Sequence, residues 1–198
     1  MSLTARRTQE ERSTATRERL LDATIECLIE LGYAKTTTSE IVRRAGVSRG
    51  AQVHHFPTKA ELVRSAIAHL AERQFAQLRA GLEQLNSRGD QFSGAIDLIW
   101  GSYSGPLFTA ALELIVAART DESLRPAVKD LEADIARAMR EMTGRPSDRS
   151  GAEKDVFDLT VCLMQGLAFG RLIDRKPSRE KRLLETWKRT VGSLVERG

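Results

Sequence analysis

The sequence predicts an all-α fold, on three observations. Ala, Leu, Glu and Arg dominate while aromatic residues make up only 5% of the 198 residues, a balance of side chains that lose little rotamer freedom in a helix. Apolar residues recur at three- and four-residue spacing over long stretches. No segment shows the two-residue alternation of a half-buried strand. With 41% hydrophobic content the chain can bury a core, and its length suits one ordinary domain or two small ones.

Leu20, Leu21, Thr24, Ile25, Cys27, Leu28 and Leu31 set the first helix, from about Thr14 to Leu31, and Gly32 follows where a left-handed C-terminal residue is wanted. Thr37 stands three residues ahead of Glu40, a capping-box spacing in which hydroxyl and carboxylate each satisfy a backbone donor. A short second helix is therefore predicted over Thr38 to Ala45. Gly46 breaks it, Val47 turns inward and Ser48 caps a third short helix, which ends near Phe56 because Pro57 disfavours helical geometry in the residue before it. Two short helices around a glycine turn make a helix-turn-helix.

From Thr58 the periodicity resumes through Leu62, Val63, Ile67, Leu70, Phe75, Leu78, Leu82 and Leu85, a long amphipathic helix that stops around NSRGD. Helices follow at about Phe92 to Tyr103, Pro106 to Arg119, Ser123 to Met142, Ala152 to Asp174 and Ser178 to Glu196, with breaks at Gly105-Pro106, Asp121, TGRPSDRSG and Lys176-Pro177. The expected organisation is an N-terminal three-helix helix-turn-helix domain (1–57), a long connecting helix (58–86) and a larger helical domain (87–198).

Charge is concentrated. Between Lys35 and Lys59 lie Lys35, Arg43, Arg44, Arg49 and Lys59 against Glu40 alone, an excess equal to the whole +4 of the chain. A polyanion would find such a patch. Cys27 and Cys162 are lone thiols without a CxxC pair or Cys/His cluster, so neither a disulfide framework nor a metal site is expected. The opening MSLTARRTQEERSTATRE is charged from Arg6 with no apolar segment behind it, unlike a secretory signal. The charge-free run from Leu159 to Gly170 is too short to span a bilayer. No membrane partner is expected, and a cytoplasmic location is.

Gly32 to Leu62, read whole, is GYAKTTTSEIVRRAGVSRGAQVHHFPTKAEL. Gly32, Tyr33, Thr36-Thr37, Ile41, Ala45-Gly46-Val47-Ser48, Gly50, His55, Phe56, Lys59 and Leu62 stand at the spacing of the DNA-binding region of TetR-family transcriptional regulators, which this stretch resembles. The resemblance implies a homodimeric transcriptional regulator, expected to be a repressor, that binds a palindromic double-stranded DNA operator through the helix-turn-helix and releases it when a small-molecule effector occupies the second domain; the alternative is an activator or a non-specific DNA-binding protein of the same fold.

The DNA-reading stretch is then Arg49, Gly50, Ala51, Gln52, Val53, His54 and His55, flanked by Thr37, Thr38 and Lys59. Thr37 and Thr38 open the second helix, whose unpaired N–H groups and dipole favour a phosphate. Arg49 can reach a guanine edge through a bidentate pair, and Gly50 removes a side chain where the third helix presses into the major groove. Lys59 starts the fourth helix, placed for a flanking phosphate. The resemblance implies phosphate contacts for His54 and His55. Their adjacency splays them apart, so they do not chelate one metal in the i, i+4 manner.

Gln52 and Val53 depart from the family's usual aliphatic-Tyr pair. Either Gln52 points inward and Val53 meets a thymine methyl, or the helix is rotated so that Val53 packs with Phe56 and Gln52 reads adenine. The cost of an unpartnered buried amide, about 1 to 3 kcal/mol, favours the rotated arrangement.

Farther along, Val156, Leu159, Leu163 and Leu167 form an apolar face with Gly166 and Gly170 leaving room for close approach, and Leu184, Trp187, Val191 and Leu194 form another. Two such helices suit a four-helix bundle across a two-fold axis, and the resemblance assigns them to the dimer. Trp100, Tyr103, Phe108, Leu112, Ile115, Val116 and Phe169 are the candidates for an apolar effector pocket. An enzyme is not expected. GSYSG, Gly101 to Gly105, has Tyr103 at its centre and no strand before it. HExxH, phosphate-loop and dinucleotide patterns are missing from the sequence, and no cofactor is predicted.

Overall fold

The computed structural model describes residues 9–86, 91–143, 151–174 and 176–195. Every regular element among the described residues is helical: α1 (Gln9–Lys35), α2 (Thr38–Ala45), α3 (Arg49–His55), α4 (Lys59–Asn86), α5 (Gln91–Tyr103), α6 (Pro106–Ala118), a 3-10 turn (Glu122–Leu124), α7 (Arg125–Thr143), α8 (Gly151–Ile173) and α9 (Pro177–Val195). The all-α expectation holds. The predicted breaks around NSRGD and TGRPSDRSG fall largely outside the described residues.

α1 starts earlier than its apolar periodicity announces. Its first turns are exposed and polar, and Glu10 and Glu11 sit where the helix dipole favours anions. Farther on, Leu20, Leu21, Ile25, Cys27 and Leu28 are buried where α1 packs on α2 and α3. Buried Thr24 is satisfied within the helix, its Oγ1 donating to the Leu20 carbonyl at 2.7 Å.

Gly32 corrects the expected left-handed cap. Its φ of 73° is positive, but its ψ of 167° belongs to a region that essentially only glycine enters, so α1 kinks there and a separate turn carries the chain to α2. Gly46, by contrast, has φ 60° and ψ 40°, the left-handed geometry a C-terminal glycine supplies.

The chain divides into two compact units, Met1–Glu72 with Thr109–Ala133, and Arg73–Phe108 with Asp134–Gly198. The division runs within α4, α6 and α7, whereas the segments read from the sequence end at 57 and 86. Residues 109–133 group with the helix-turn-helix, and two of them, Glu113 and Asp121, bond to Tyr33.

In the second unit α5 packs against α8 and α9. Ile96, Met164, Leu167 and Leu184 form its buried centre, with Ile99, Trp100, Tyr103, Leu163, Leu183 and Trp187 around them. The Trp187 indole donates to Thr160 Oγ1 at 2.9 Å, and Lys188 lies between Asp97 and Glu185 at 2.8 and 3.0 Å. By length and composition Lys154–Ile173 is apolar enough to cross a membrane, a wider segment than the run from Leu159 to Gly170. Here it buries Thr160, Met164, Leu167 and Ala168 inside the protein.

Candidate nucleic-acid interface

The helix-turn-helix is fixed by local chemistry at each corner. Thr37 adopts an extended conformation and its Oγ1 accepts the Glu40 N–H at 3.2 Å. Only half of the expected capping box forms, because the Glu40 carboxylate takes better partners: Arg43 Nε and Nη2 at 2.8 and 2.6 Å and Arg44 Nε at 2.8 Å. Those bonds, first from Arg43 and then from Arg44, hold the Glu40 carboxyl down at about 2. Gly46 closes α2, its N–H donating to the Arg43 carbonyl. Ser48 caps α3 as predicted, with Oγ accepting the Ala51 N–H at 3.1 Å. At the far end Phe56 leaves the helix with φ −144° before Pro57.

The orientation of α3 is the reverse of the one that desolvation alone favours. Gln52 is fully buried, whereas Val53 is 46% exposed. Gln52 Nε2 donates to the Phe56 carbonyl, an acceptor set free because the helix ends there and Pro57 follows. Its Oε1 is buried with no partner among the described residues. A fully buried amide does not reach a base edge, so Gln52 leaves the candidate set. The outward stretch consists of Arg49, Gly50, Val53 and His54. Ala51 and His55 are half-buried, and the two imidazole rings meet edge-on, 5.2 Å apart. Burial, then neighbouring His54 and Arg17, push the His55 pKa below its ordinary value.

The positive patch is smaller than its sequence count. Arg44, only 17% exposed, is committed to Glu30 at 2.7 Å and Glu40 at 2.8 Å. Lys59 was expected at a phosphate, yet its ammonium donates to the Tyr33 carbonyl at 2.7 Å and lies 3.8 Å from the centre of the Tyr33 ring. Burial lowers its pKa accordingly. Arg49 and Lys35 stand exposed with no ion-pair partner among the described residues.

α1 contributes two cations that sequence reading missed. The Arg17 guanidinium lies 5.4 Å over the Phe56 ring at the end of α3. Arg19 approaches the Gly46 carbonyl at the α2–α3 turn, 3.5 Å away. Both residues are legible as basic, but nothing in the sequence says which turn of α1 lies beside α3.

The second-half candidates separate into groups. Tyr103 and Phe108 meet with ring centres 5.9 Å apart, and Trp100 borders a cleft of about 300 Å³ between α5 and α9, lined also by Asp97, Glu180, Leu184 and Lys188. Leu112 is half-buried. Ile115, Val116 and Phe169 are exposed rather than enclosed, because they occupy outward positions of α6 and α8. Among the dimer candidates, Leu167, Leu184 and Val191 are buried in the chain's own interior, so they do not face a partner. Leu159 is exposed, while Val156, Leu163 and Trp187 are half-buried; the Leu194 side chain lies outside the described residues. The exposed stripe of α8 is instead Leu159, Cys162, Gly166, Phe169 and Ile173, spaced by three or four residues. Among the described residues no group of three or more His, Cys, Asp or Glu side chains could hold a metal ion.

Residues 20–66 match the family described as bacterial regulatory proteins, tetR family. The chain is 33% identical over 183 residues to the HTH-type transcriptional regulator CymR of Pseudomonas putida, covering 90% of each chain. Its fold is similar to that of a member of the TetR family from Streptomyces coelicolor A3, with a TM-score of 0.63, 20% identity and coverage of 88% of this chain and 96% of that one. It is also similar to the multidrug binding protein EbrR complexed with ethidium, at TM-score 0.60, 20% identity and the same two coverages.

Proposed function

We propose, starting from the fact that this chain belongs to the tetR family of bacterial regulatory proteins, that it represses transcription by holding an inverted-repeat operator as a homodimer and releases it when a small molecule occupies the second half. The observation that carries the DNA-contact assignment is the outer surface of α3, where Arg49, Gly50, Val53 and His54 face away from the protein. Nothing among the described residues asks for glycine at position 50, since of them an added Cβ would meet only Ser48 Oγ, at 3.9 Å. A groove wall pressing on α3 supplies the reason.

In this reading Arg49 pairs with a guanine edge, Val53 meets a thymine methyl, and Thr37, Thr38, His54 and His55 hold phosphates. Two copies place their α3 helices one DNA turn apart, about 34 to 36 Å. The α8 stripe from Leu159 to Ile173 meets its counterpart across the two-fold axis. An apolar or aromatic effector is held near Tyr103 and Phe108, whereas the Trp100 cleft, lined by Asp97, Glu180 and Lys188 and at the lower end of the usual ligand range of about 300 to 1,000 Å³, suits a polar or charged one. Either acts by favouring a subunit arrangement in which the α3 helices no longer match successive major grooves. A cytoplasmic location follows from the need to reach chromosomal DNA.

Selection of bound duplexes from a random pool tests this directly. An enriched inverted repeat supports it; recovery of unrelated sequences with equal affinity contradicts it.

A further inference from the structure

Tyr33 sits at the kink between α1 and α2, and its polar atoms are held by residues distant in sequence. Its N–H donates to Glu113 Oε2 at 2.8 Å, its hydroxyl to Asp121 Oδ2 at 3.2 Å, and its carbonyl accepts from Lys59 at 2.7 Å. The partners come from α6, from the cap of the 3-10 turn and from the first residue of α4. Burial, then the Asp121 charge, push the Tyr33 hydroxyl up to about 12, so it remains a donor at any physiological pH.

Gly32 completes the joint. A Cβ there would lie 2.9 Å from Glu113 Oε2, and its φ/ψ pair is one other residues essentially do not adopt. The glycine thus gives the carboxylate a seat against the backbone and turns the next N–H toward it. Thr36 fastens the exit, its Oγ1 and N–H both bonded to the Gly32 carbonyl, at 2.7 and 3.2 Å. Two residues later α2 begins.

We propose that Glu113 is a positioning residue for DNA binding. Its carboxylate locks the α1–α2 corner in the one conformation that presents α3 to the groove, which makes operator affinity depend on where α6 sits. Glu113 touches no DNA; it acts through the Gly32–Tyr33 backbone. Without it the corner samples several conformations, and apparent affinity falls by the fraction still competent. The inference rests on the DNA-binding reading and deepens it by naming the contact through which α6 speaks to the helix-turn-helix.

The test compares wild type, E113A and E113Q on the duplex selected with wild type. Affinities are corrected for the active fraction, and each is measured over a salt series. E113A is expected to bind about tenfold more weakly with an unchanged salt slope, because no phosphate contact is lost. E113Q, whose amide oxygen still accepts the Tyr33 N–H, should return to within about threefold of wild type. Hydrogen exchange at the Tyr33 amide should quicken in E113A and remain slow in E113Q. Should E113A lose its helical signal, E113D, with the same charge and one methylene fewer, is measured in its place with the same expectation. Unchanged affinity in the truncated variant, a slope reduced by about one, or E113Q as weak as E113A would each overturn the proposal. A wild-type protein that selects no duplex would overturn the DNA reading beneath it as well, so the two failures are told apart.

Discussion

Gln52 is the residue on which burial and chemistry disagree most sharply. It is fully buried and donates to the Phe56 carbonyl, yet its Oε1 has no partner among the described residues. Replacing it by Leu removes one unsatisfied acceptor but strands another, the Phe56 carbonyl, and the two terms, each about 1 to 3 kcal/mol, offset. Gln52→Leu is therefore expected to change stability by less than about 1 kcal/mol in urea unfolding and to leave sequence preference untouched. Lys59→Met is expected to weaken binding without changing the salt slope, since its ammonium is spent on Tyr33; a slope lowered by about one would return Lys59 to the phosphates. Arg49→Ala should relax preference at one base position per half-site, at a cost of about 1 to 3 kcal/mol. The exposure of Arg49 was legible in the sequence, whereas the inward turns of Gln52 and Lys59 were not. Their partners are main-chain carbonyls released by a helix end and by a glycine kink, and a residue pattern does not announce those.

At the scale of elements, the short helices were legible because their ends are written locally. Ser48 caps α3, Gly46 ends α2 and Pro57 stops what precedes it. Gly46→Ala should cost about 1 to 2 kcal/mol for its left-handed geometry, measurable by thermal unfolding, although an added Cβ would touch nothing. Glu40 ties α2 together, and its carboxyl is lowered from 4.5 to about 2 by Arg43 and Arg44. That contribution is complete above pH 4.5, where the unfolded chain is also ionised, and is lost as pH falls toward 2. Amide protection in α2 should decline across that window in wild type, and Glu40→Gln should lack the step. The face of α8 was legible only in part. Periodicity gives an apolar helix, but Leu167 and Leu159 look alike in sequence, and only the positions of α5 and α9 decide which of them is interior.

For the whole molecule, the α8 stripe makes opposite predictions for two leucines. Leu159→Glu should yield a folded monomer in sedimentation, with weak operator binding because the second half-site no longer benefits from linkage. Leu167→Glu should unfold the second unit instead, since it buries a charge in the chain's own core. The family was readable from Gly32 to Leu62 alone; the chain's grouping into two units was not, because contacts such as those of Glu113 and Asp121 with Tyr33 join residues about 80 apart in the sequence. The central claim, that α3 is read twice by one operator, is tested most directly by selecting duplexes with wild type and with Arg49→Ala side by side. Wild type is expected to select an inverted repeat, and the variant the same repeat with one relaxed position in each half. Enrichment of no motif, or an identical motif with both proteins, would contradict it.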